Sequence, residues 1–367
     1  MKLYFVYAIP QLKKLSFFVR LLRKMKKMVI TFIYLKTEIQ KRQYDKKFFD
    51  DWPIQSPYEN TKNIYLGLSK YWPSYLFHLT EKCKLKIKED DIFIGHPFFP
   101  ISGIKKGITE IVLSMDKKPK TTVLITPLHC NLSIQTSHIN RDYLNHVNEL
   151  VPRCDLLFSI MGQYWWDQWK YSEYSHWLSK MIRLDMAIDI KHYPKIKKRF
   201  NQKGKRKFLF IGRNDPMKGT EFLSQLANQV PQFHFGWIGS GNNIEGIHRI
   251  SDFRELTPKF MSHVAEEYDF FISTSLADPN PTTILEALAW GFPVLSTKQS
   301  GYYQSKVFTN IFSENLEETK NIIFNFEEKE ESELLGLSKL GRQLVASDYN
   351  WNKFNDVIIS NLKKHYY

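Results

Sequence analysis

Cysteine is scarce in this chain: 367 residues hold three, Cys83, Cys130 and Cys154. Their number is odd and their spacing is neither that of a metal site nor that of a redox pair. A disulfide scaffold is therefore excluded and a reduced, cytoplasmic compartment expected. Long uncharged apolar runs are missing as well. No run of about 18 apolar residues lacks charge, so no segment reads as a transmembrane helix. The N-terminal apolar runs are broken by Lys and Arg and lack a small-residue cleavage site, which argues against a signal peptide. Internal repeats and low-complexity tracts are absent. No helix-turn-helix, zinc-finger or RNP-type pattern is present, and nucleic acid is not an expected partner.

What the chain has in excess is positive charge, +14 overall. Residues 1–50 alone carry 13 basic and 3 acidic residues, so an anionic partner is expected for the first half. At 100° per residue Leu12, Leu15, Phe18, Val19, Leu22, Met25, Val29 and Ile33 share one face of a helix, while Lys13, Arg20, Arg23, Lys24 and Lys27 gather on the other. A basic amphipathic helix over residues 11–36 can lie in the headgroup plane of an anionic membrane. The same pattern also suits a helix packed on its own domain with a solvated basic face.

The richest local signal is Ala277-Asp-Pro-Asn-Pro-Thr-Thr-Ile-Leu-Glu286, followed by Ala-Leu-Ala-Trp-Gly-Phe-Pro-Val-Leu-Ser296. Tyr268–Thr274 reads as a buried strand and Pro293–Ser296 as another. Between them Asn280 can cap a helix, Pro281 suits its first position, and Gly291-Phe-Pro293 stops it. The unit is strand, acidic loop, helix, strand. A helix N-terminus offers N–H groups and a positive dipole end to an anion, and the carboxylates of Asp278 and Glu286 can each accept from two neighbouring sugar hydroxyls. Upstream, the apolar strand Lys207–Gly212 runs into Arg213-Asn-Asp-Pro-Met-Lys218-Gly219 and a helical pattern of Phe222, Leu223, Leu226 and Ala227. Two cations five residues apart at a strand end suit a diphosphate, Arg as a fork and Lys as a point charge.

These two segments, in this order and with Trp237-Ile-Gly-Ser-Gly241 between them, resemble the Gly-Arg, Lys-Gly and E-x7-E signatures of family-4-type retaining glycosyltransferases with the GT-B fold. The resemblance continues more weakly upstream. Met181–Pro194 is similar to the strand and Gly-Val-Asp linker that joins the family's two domains, with Ala187 in place of glycine. Asp91–His96 and Thr122–His129 look like two parallel strands of its first domain, each ending in a histidine at the carboxyl end where ligands bind.

The resemblance implies an α/β chain of GT-B type, with two Rossmann-like domains facing across a cleft. The expected division is an N-terminal acceptor domain over 1–190 with a basic insertion near 11–50, a nucleotide-sugar domain over 191–350, and a helix over 351–367 crossing back to the first domain. The length suits two such domains. The activity implied is a hexosyltransferase-like transfer from a nucleotide-diphosphate sugar to a glycan or lipid-linked acceptor, with retention and without a metal or other cofactor; the expected place is the cytoplasm, with residues 11–36 offering a peripheral hold on the inner face of the membrane. Asp50-Asp51 and Asp90-Asp91 lack the D-x-D spacing of metal-dependent transferases. By match to the family's motifs, the diphosphate falls to Gly212, Arg213 and Lys218 with Asn280, Thr282 and Thr283, the ribose to Glu286, and the transferred sugar to Asp278 and His129. His96 and Ser56 are the candidates for the acceptor.

Two departures bear on the site. The glycine pair that the family carries after its first strand is replaced by some forty basic and apolar residues, and Pro279 and Pro281 remove two backbone donors from the loop that offers N–H groups to phosphate. A GT-B-like enzyme acting on a nucleotide-sugar in another way and a non-catalytic membrane- or polysaccharide-binding protein remain as alternatives. Cys130, beside His129, has no second base identifiable nearby, and the aromatic run Tyr164–Trp169, which could stack on a sugar or a base, reads first as a helix packing on the first domain and on the cleft.

Overall fold

The computed structural model describes residues 1–7, 44, 46–50, 52, 54, 58–78, 87–98, 107–134, 139–252, 256–303 and 305–366. The basic segment 11–36, Ser56 and Cys83 lie outside them. Two six-stranded sheets organise the chain. The first contains β1 (Leu3–Tyr7), β2 (Ser74–His78), β3 (Ile92–Gly95), β4 (Thr121–Pro127), β5 (Leu156–Ile160) and β6 (Met181–Leu184), in the order β2-β1-β3-β4-β5-β6. The second contains β7 (Lys207–Ile211), β8 (His234–Ile238), β9 (His248–Ser251), β10 (Phe270–Ser273), β11 (Val294–Thr297) and β12 (Phe308–Ile311), in the order β12-β11-β10-β7-β8-β9. The registered strand pairs are parallel.

Parallel strands covered on both faces read as continuous apolar runs rather than alternating ones, and β1, β3 and β10 are buried at every position. The helices are α1 (Tyr58–Leu68), α2 (Ile108–Leu113), α3 (Arg141–Leu150), α4 (Gln163–Trp169), α5 (Thr220–Gln229), α6 (Pro258–Glu267), α7 (Thr282–Trp290), α8 (Leu316–Glu327), α9 (Glu331–Asp348) and α10 (Trp351–Tyr366). None of the described helices is long and apolar enough to cross a membrane.

In the second sheet the strand order reverses between β7 and β10, the doubly wound arrangement in which ligands bind outside the carboxyl ends of the strands at the reversal. In the first sheet the reversal falls between β1 and β3. By compactness the chain divides into Met1–Ile125 with Pro152–Asp155 and Asn361–Tyr367, and Thr126–Val151 with Leu156–Ser360. Within the second unit, Phe208, Phe235, Phe270, Leu223, Leu226 and Ile323 form part of one apolar core. At the head of β10 lies a buried ion pair. Lys197 Nζ bonds Asp269 Oδ1 at 2.8 Å, with side chains 2% and 0% exposed, and donates also to the carbonyls of Ala265 and Tyr268. Asp269 in turn accepts from the backbone of Asn201 and Lys207, so the pair pins the segment leading into the second sheet.

Candidate functional site

The loop after β7 is shaped to deliver one lysine. Gly212 donates its N–H to Ile238 at 3.0 Å and accepts from the Trp237 indole at 2.8 Å. Asp215 caps a single 3₁₀ turn, Pro216–Lys218, by accepting from Met217 N. Gly219 follows at φ +64°, and a Cβ there would stand 2.0 Å from the Thr274 carbonyl, so glycine is required twice over. The Thr274 hydroxyl donates to the carbonyls of Lys218 and Gly219, each at 3.0 Å, and Leu276 N donates to Met217 O at 2.8 Å. The loops after β7 and β10 are thereby joined, and Lys218 Nζ pairs with Asp278 Oδ2 at a site where both side chains are largely buried.

The acidic loop is held by its own carbonyls. Asp278 N donates to Gln299 O at 3.1 Å, Asp278 O accepts from the Trp165 indole at 2.8 Å, and Pro279 O accepts from Gly162 N at 2.7 Å. Asn280 Oδ1 accepts from Met186 N and from the Tyr302 hydroxyl, and Asn280 Nδ2 is buried without a partner among the described residues. Asn280 therefore does not cap α7. Pro281, in extended conformation, is the N-cap, and the helix begins at Thr282, one residue later than the spacing predicts, because the Asn280 carboxamide is engaged elsewhere. Among the described residues no side chain caps this N-terminus, and the N–H groups of its first turn carry the positive end of the helix dipole.

One turn inside α7, Glu286 is partly buried. Burial pushes its carboxyl up to about 7, against the opposing pull of the Thr282 and Tyr193 hydroxyls and of Lys218. The capping arrangement of Thr283 with Glu286 that an ordinary βαβ unit would show is replaced by the bond from Thr282. His129 lies two residues beyond β4, fully buried, with its ring 5.4 Å from that of Trp165. Burial holds its imidazole down to about 4, with Asp278 pulling the other way, and neither ring nitrogen has a partner among the described residues. The cluster of Lys218, Asp278, Glu286 and His129 thus sets a cation, two carboxyls and a neutral imidazole around the start of one helix.

His96 stands just past β3, at the strand-order reversal of the first sheet. Its Nδ1 bonds the Ile125 carbonyl at 2.9 Å, which fixes Nδ1–H as donor and leaves the lone pair on Nε2. Burial lowers its pKa and keeps it neutral. Tyr7 packs edge-on against it at 5.0 Å and takes a hydrogen bond from Asn60 on α1.

Residues 205–311 match the family described as Glycosyl transferases group 1. The match covers the second sheet, from β7 to β12, and less than a third of the chain. No curated protein matches it in sequence. Among solved structures, it is similar to a sucrose-phosphate synthase from Thermosynechococcus elongatus (12% identity, 84% of this chain and 93% of that one, TM-score 0.61). It is also similar to an E. coli protein described as trehalose-6-phosphate bound with UDP-2-fluoro glucose (11% identity, 99% of each chain, TM-score 0.57). A third is WaaG, a glycosyltransferase involved in lipopolysaccharide biosynthesis (12% identity, 84% and 97%, TM-score 0.53). At these identities the likeness is one of fold, and the fold is GT-B.

The structure brings together Lys218, Asp278, Glu286, Thr282 and His129 of the residues expected from sequence. Gly212 serves by its backbone, and Thr283 lies in the first turn of α7. Arg213 is 41% exposed and turns toward Asp215 at 3.7 Å. Asn280 is committed through its oxygen to Met186 and Tyr302. Gln299 and Tyr302 border the cluster and had no local signal, each singled out only by a partner far along the chain, whereas Tyr193, whose hydroxyl donates to Glu286, holds the aromatic position of the Asp-x-x-x-Phe/Tyr linker resemblance. Trp165 did sit in a conspicuous aromatic run, but its indole points to Asp278 and Gln299 rather than serving packing alone.

Proposed function

We propose that this glycosyltransferase moves a sugar from a nucleotide-diphosphate sugar to a glycan or lipid-linked acceptor, with retention and without a metal. The observation that carries the reading is the buried Lys218–Asp278 pair beside the uncapped start of α7. A leaving diphosphate needs positive charge, which Lys218, Arg213 and the N–H groups of Thr282 and Thr283 supply without a cation. The two prolines of the 278–281 loop have no N–H to give, so the share falling to Lys218 and α7 is larger. Glu286 accepts from the ribose hydroxyls. Asp278 and the neutral His129 meet the transferred sugar, Asp278 offsetting the positive charge that grows on its ring as the bond to phosphate breaks. Retention follows from the family resemblance. The UDP-sugar ligand named for the E. coli structure supports the donor class. His96, with a lone pair on Nε2, accepts from an acceptor hydroxyl.

The test is thermal unfolding against a panel of nucleoside diphosphates and their sugars, beside an Arg213→Ala/Lys218→Ala double variant. A ligand at about 100 times its Kd adds roughly 2.7 kcal/mol to stability. One nucleotide series should raise the midpoint of the wild type and not of the variant. Product analysis with and without acceptor then separates transfer from hydrolysis, and chelation should leave turnover intact. A folded protein that responds to no nucleotide would overturn the reading.

A further inference from the structure

We propose that Trp165 is a positioning residue for the transfer step, setting Asp278 and His129 with one indole. The inference rests on the reading that these two residues meet the donor sugar. Trp165 is 3% exposed, and its Nε1–H is shared between the carbonyls of Asp278, at 2.8 Å, and Gln299, at 3.0 Å. Because Asp278 N already donates to Gln299 O, the indole closes a small ring of hydrogen bonds around the backbone from which the Asp278 carboxylate projects. The other side of the same ring system stands against His129, centroid to centroid 5.4 Å, at a tilt of 45°.

The first turn of α4 is bolted to the same loop by contacts that tolerate little movement. Gly162 N donates to Pro279 O at 2.7 Å, and a Cβ on Gly162 would lie 2.2 Å from the Gly301 carbonyl. Two residues beyond Trp165, Asp167 accepts from the Tyr303 hydroxyl at 2.7 Å. Trp165 is thus carried on a short helix fixed at both ends against residues 278–303, and the geometry of Asp278 is read out through its carbonyl. Since Pro279 and Pro281 have no N–H, the chain beyond Asp278 lacks the donors that would anchor this loop from within, and the indole takes over that work. A misplacement of about 1 Å costs up to about 10²-fold in rate, so the loss should show in turnover before it shows in binding.

The experiment compares Trp165→Phe, Trp165→Tyr, Trp165→Leu and Asp278→Asn in glycosyl transfer, with active sites counted by nucleoside-diphosphate titration so that unfolded protein is not scored. Trp165→Phe keeps a ring against His129 and removes the donor. It should lower kcat on the order of 10- to 100-fold while the KM for the donor sugar changes little. Trp165→Tyr returns a hydroxyl donor at the ring edge and should recover part of the loss. Trp165→Leu opens the apolar wall, and the His129 imidazole, followed by NMR, should titrate well above its wild-type value of about 4. An unchanged kcat in Trp165→Phe beside a crippled Asp278→Asn overturns the inference and leaves the sugar-site reading standing. If kcat falls only in step with nucleoside-diphosphate binding, Trp165 is a structural support and the inference is overturned as well. If Asp278→Asn is itself fully active, the sugar-site reading fails and the inference falls with it.

Discussion

Glu286 makes two opposite pH dependences out of one carboxyl. Its folded-state pKa, pushed up to about 7 by burial, stands above the ordinary carboxyl range near 4.5. Ribose hydroxyls bind a carboxylate, so binding selects the ionised form. With a pKa of about 7 roughly a tenth of Glu286 is ionised at pH 6 and roughly nine-tenths at pH 8, which predicts about a ninefold gain in donor affinity between the two. Folding has the other sign. The raised pKa means that folding favours the protonated form, so the contribution is fully present below about pH 4.5 and is lost as pH rises through about 7, at most about 3 kcal/mol in all. The assay is calorimetric titration with a nucleotide sugar, whose diphosphate is esterified at both ends and takes up no proton in this range. Measurements at pH 6, 7 and 8 should show affinity rising and a proton released on binding, while the unfolding midpoint of the free protein falls. Glu286→Gln should flatten both curves. A variant that keeps the wild-type slopes, or a wild type that binds equally well at pH 6 and pH 8, would refute the assignment of the ribose to Glu286.

Lys218→Ala should lower transferase turnover by about 10²-fold or more, the scale for removing one preorganised electrostatic contact. Arg213→Ala should do the same once the donor draws that half-exposed side chain inward, and normal turnover in both would remove the diphosphate assignment. Lys197→Met leaves Asp269 charged and buried without its cation, so urea unfolding should show a loss of about 3–5 kcal/mol, and Lys197→Met/Asp269→Leu should recover much of it. Deleting residues 11–36 should abolish flotation with anionic liposomes while nucleotide binding survives, and flotation unchanged by the deletion would dismiss the membrane reading of that segment.

The second half was legible because its chemistry sits on contiguous residues. A buried strand running into a Lys-Gly pair, and a buried strand followed by a proline-rich acidic loop and a helix, each leave their marks within a few consecutive positions. The places of Lys218, Asp278 and Glu286, on a strand-end loop, an acidic loop and a helix, could be read from such marks. The partners of the acidic loop could not. Met186, Gln299 and Tyr302 hold residues 278–281 through hydrogen bonds that join points 20 to 95 positions apart, and no local pattern distinguishes a tyrosine with such a duty from one that merely fills a core. The helix start missed by one residue has the same origin: Asn280 has a good capping side chain, and Met186 N, 94 positions away, takes its oxygen. His96 and His129 were visible as strand-end histidines, but their difference was not. One has a tautomer fixed by the Ile125 carbonyl, and the other has no partner for either nitrogen among the described residues.

That difference divides the labour of the two histidines. A neutral imidazole with Nδ1–H spent on a carbonyl can only accept at Nε2, so on the proposed acceptor reading His96 would select a ligand group that donates, a hydroxyl rather than a phosphate or carboxylate. His129 keeps both nitrogens uncommitted, so it can donate to one sugar oxygen through whichever nitrogen carries the proton and accept from another, at the cost of remaining buried and neutral until a ligand arrives. Asp278 works against that neutrality, since its negative charge raises the His129 pKa against burial, and Lys218 offsets that charge in turn. On the proposed reading, a diphosphate drawing Lys218 toward itself would leave Asp278 freer to act on His129 and on the sugar ring, and arrival of the leaving group would be coupled to the sugar site through that ion pair.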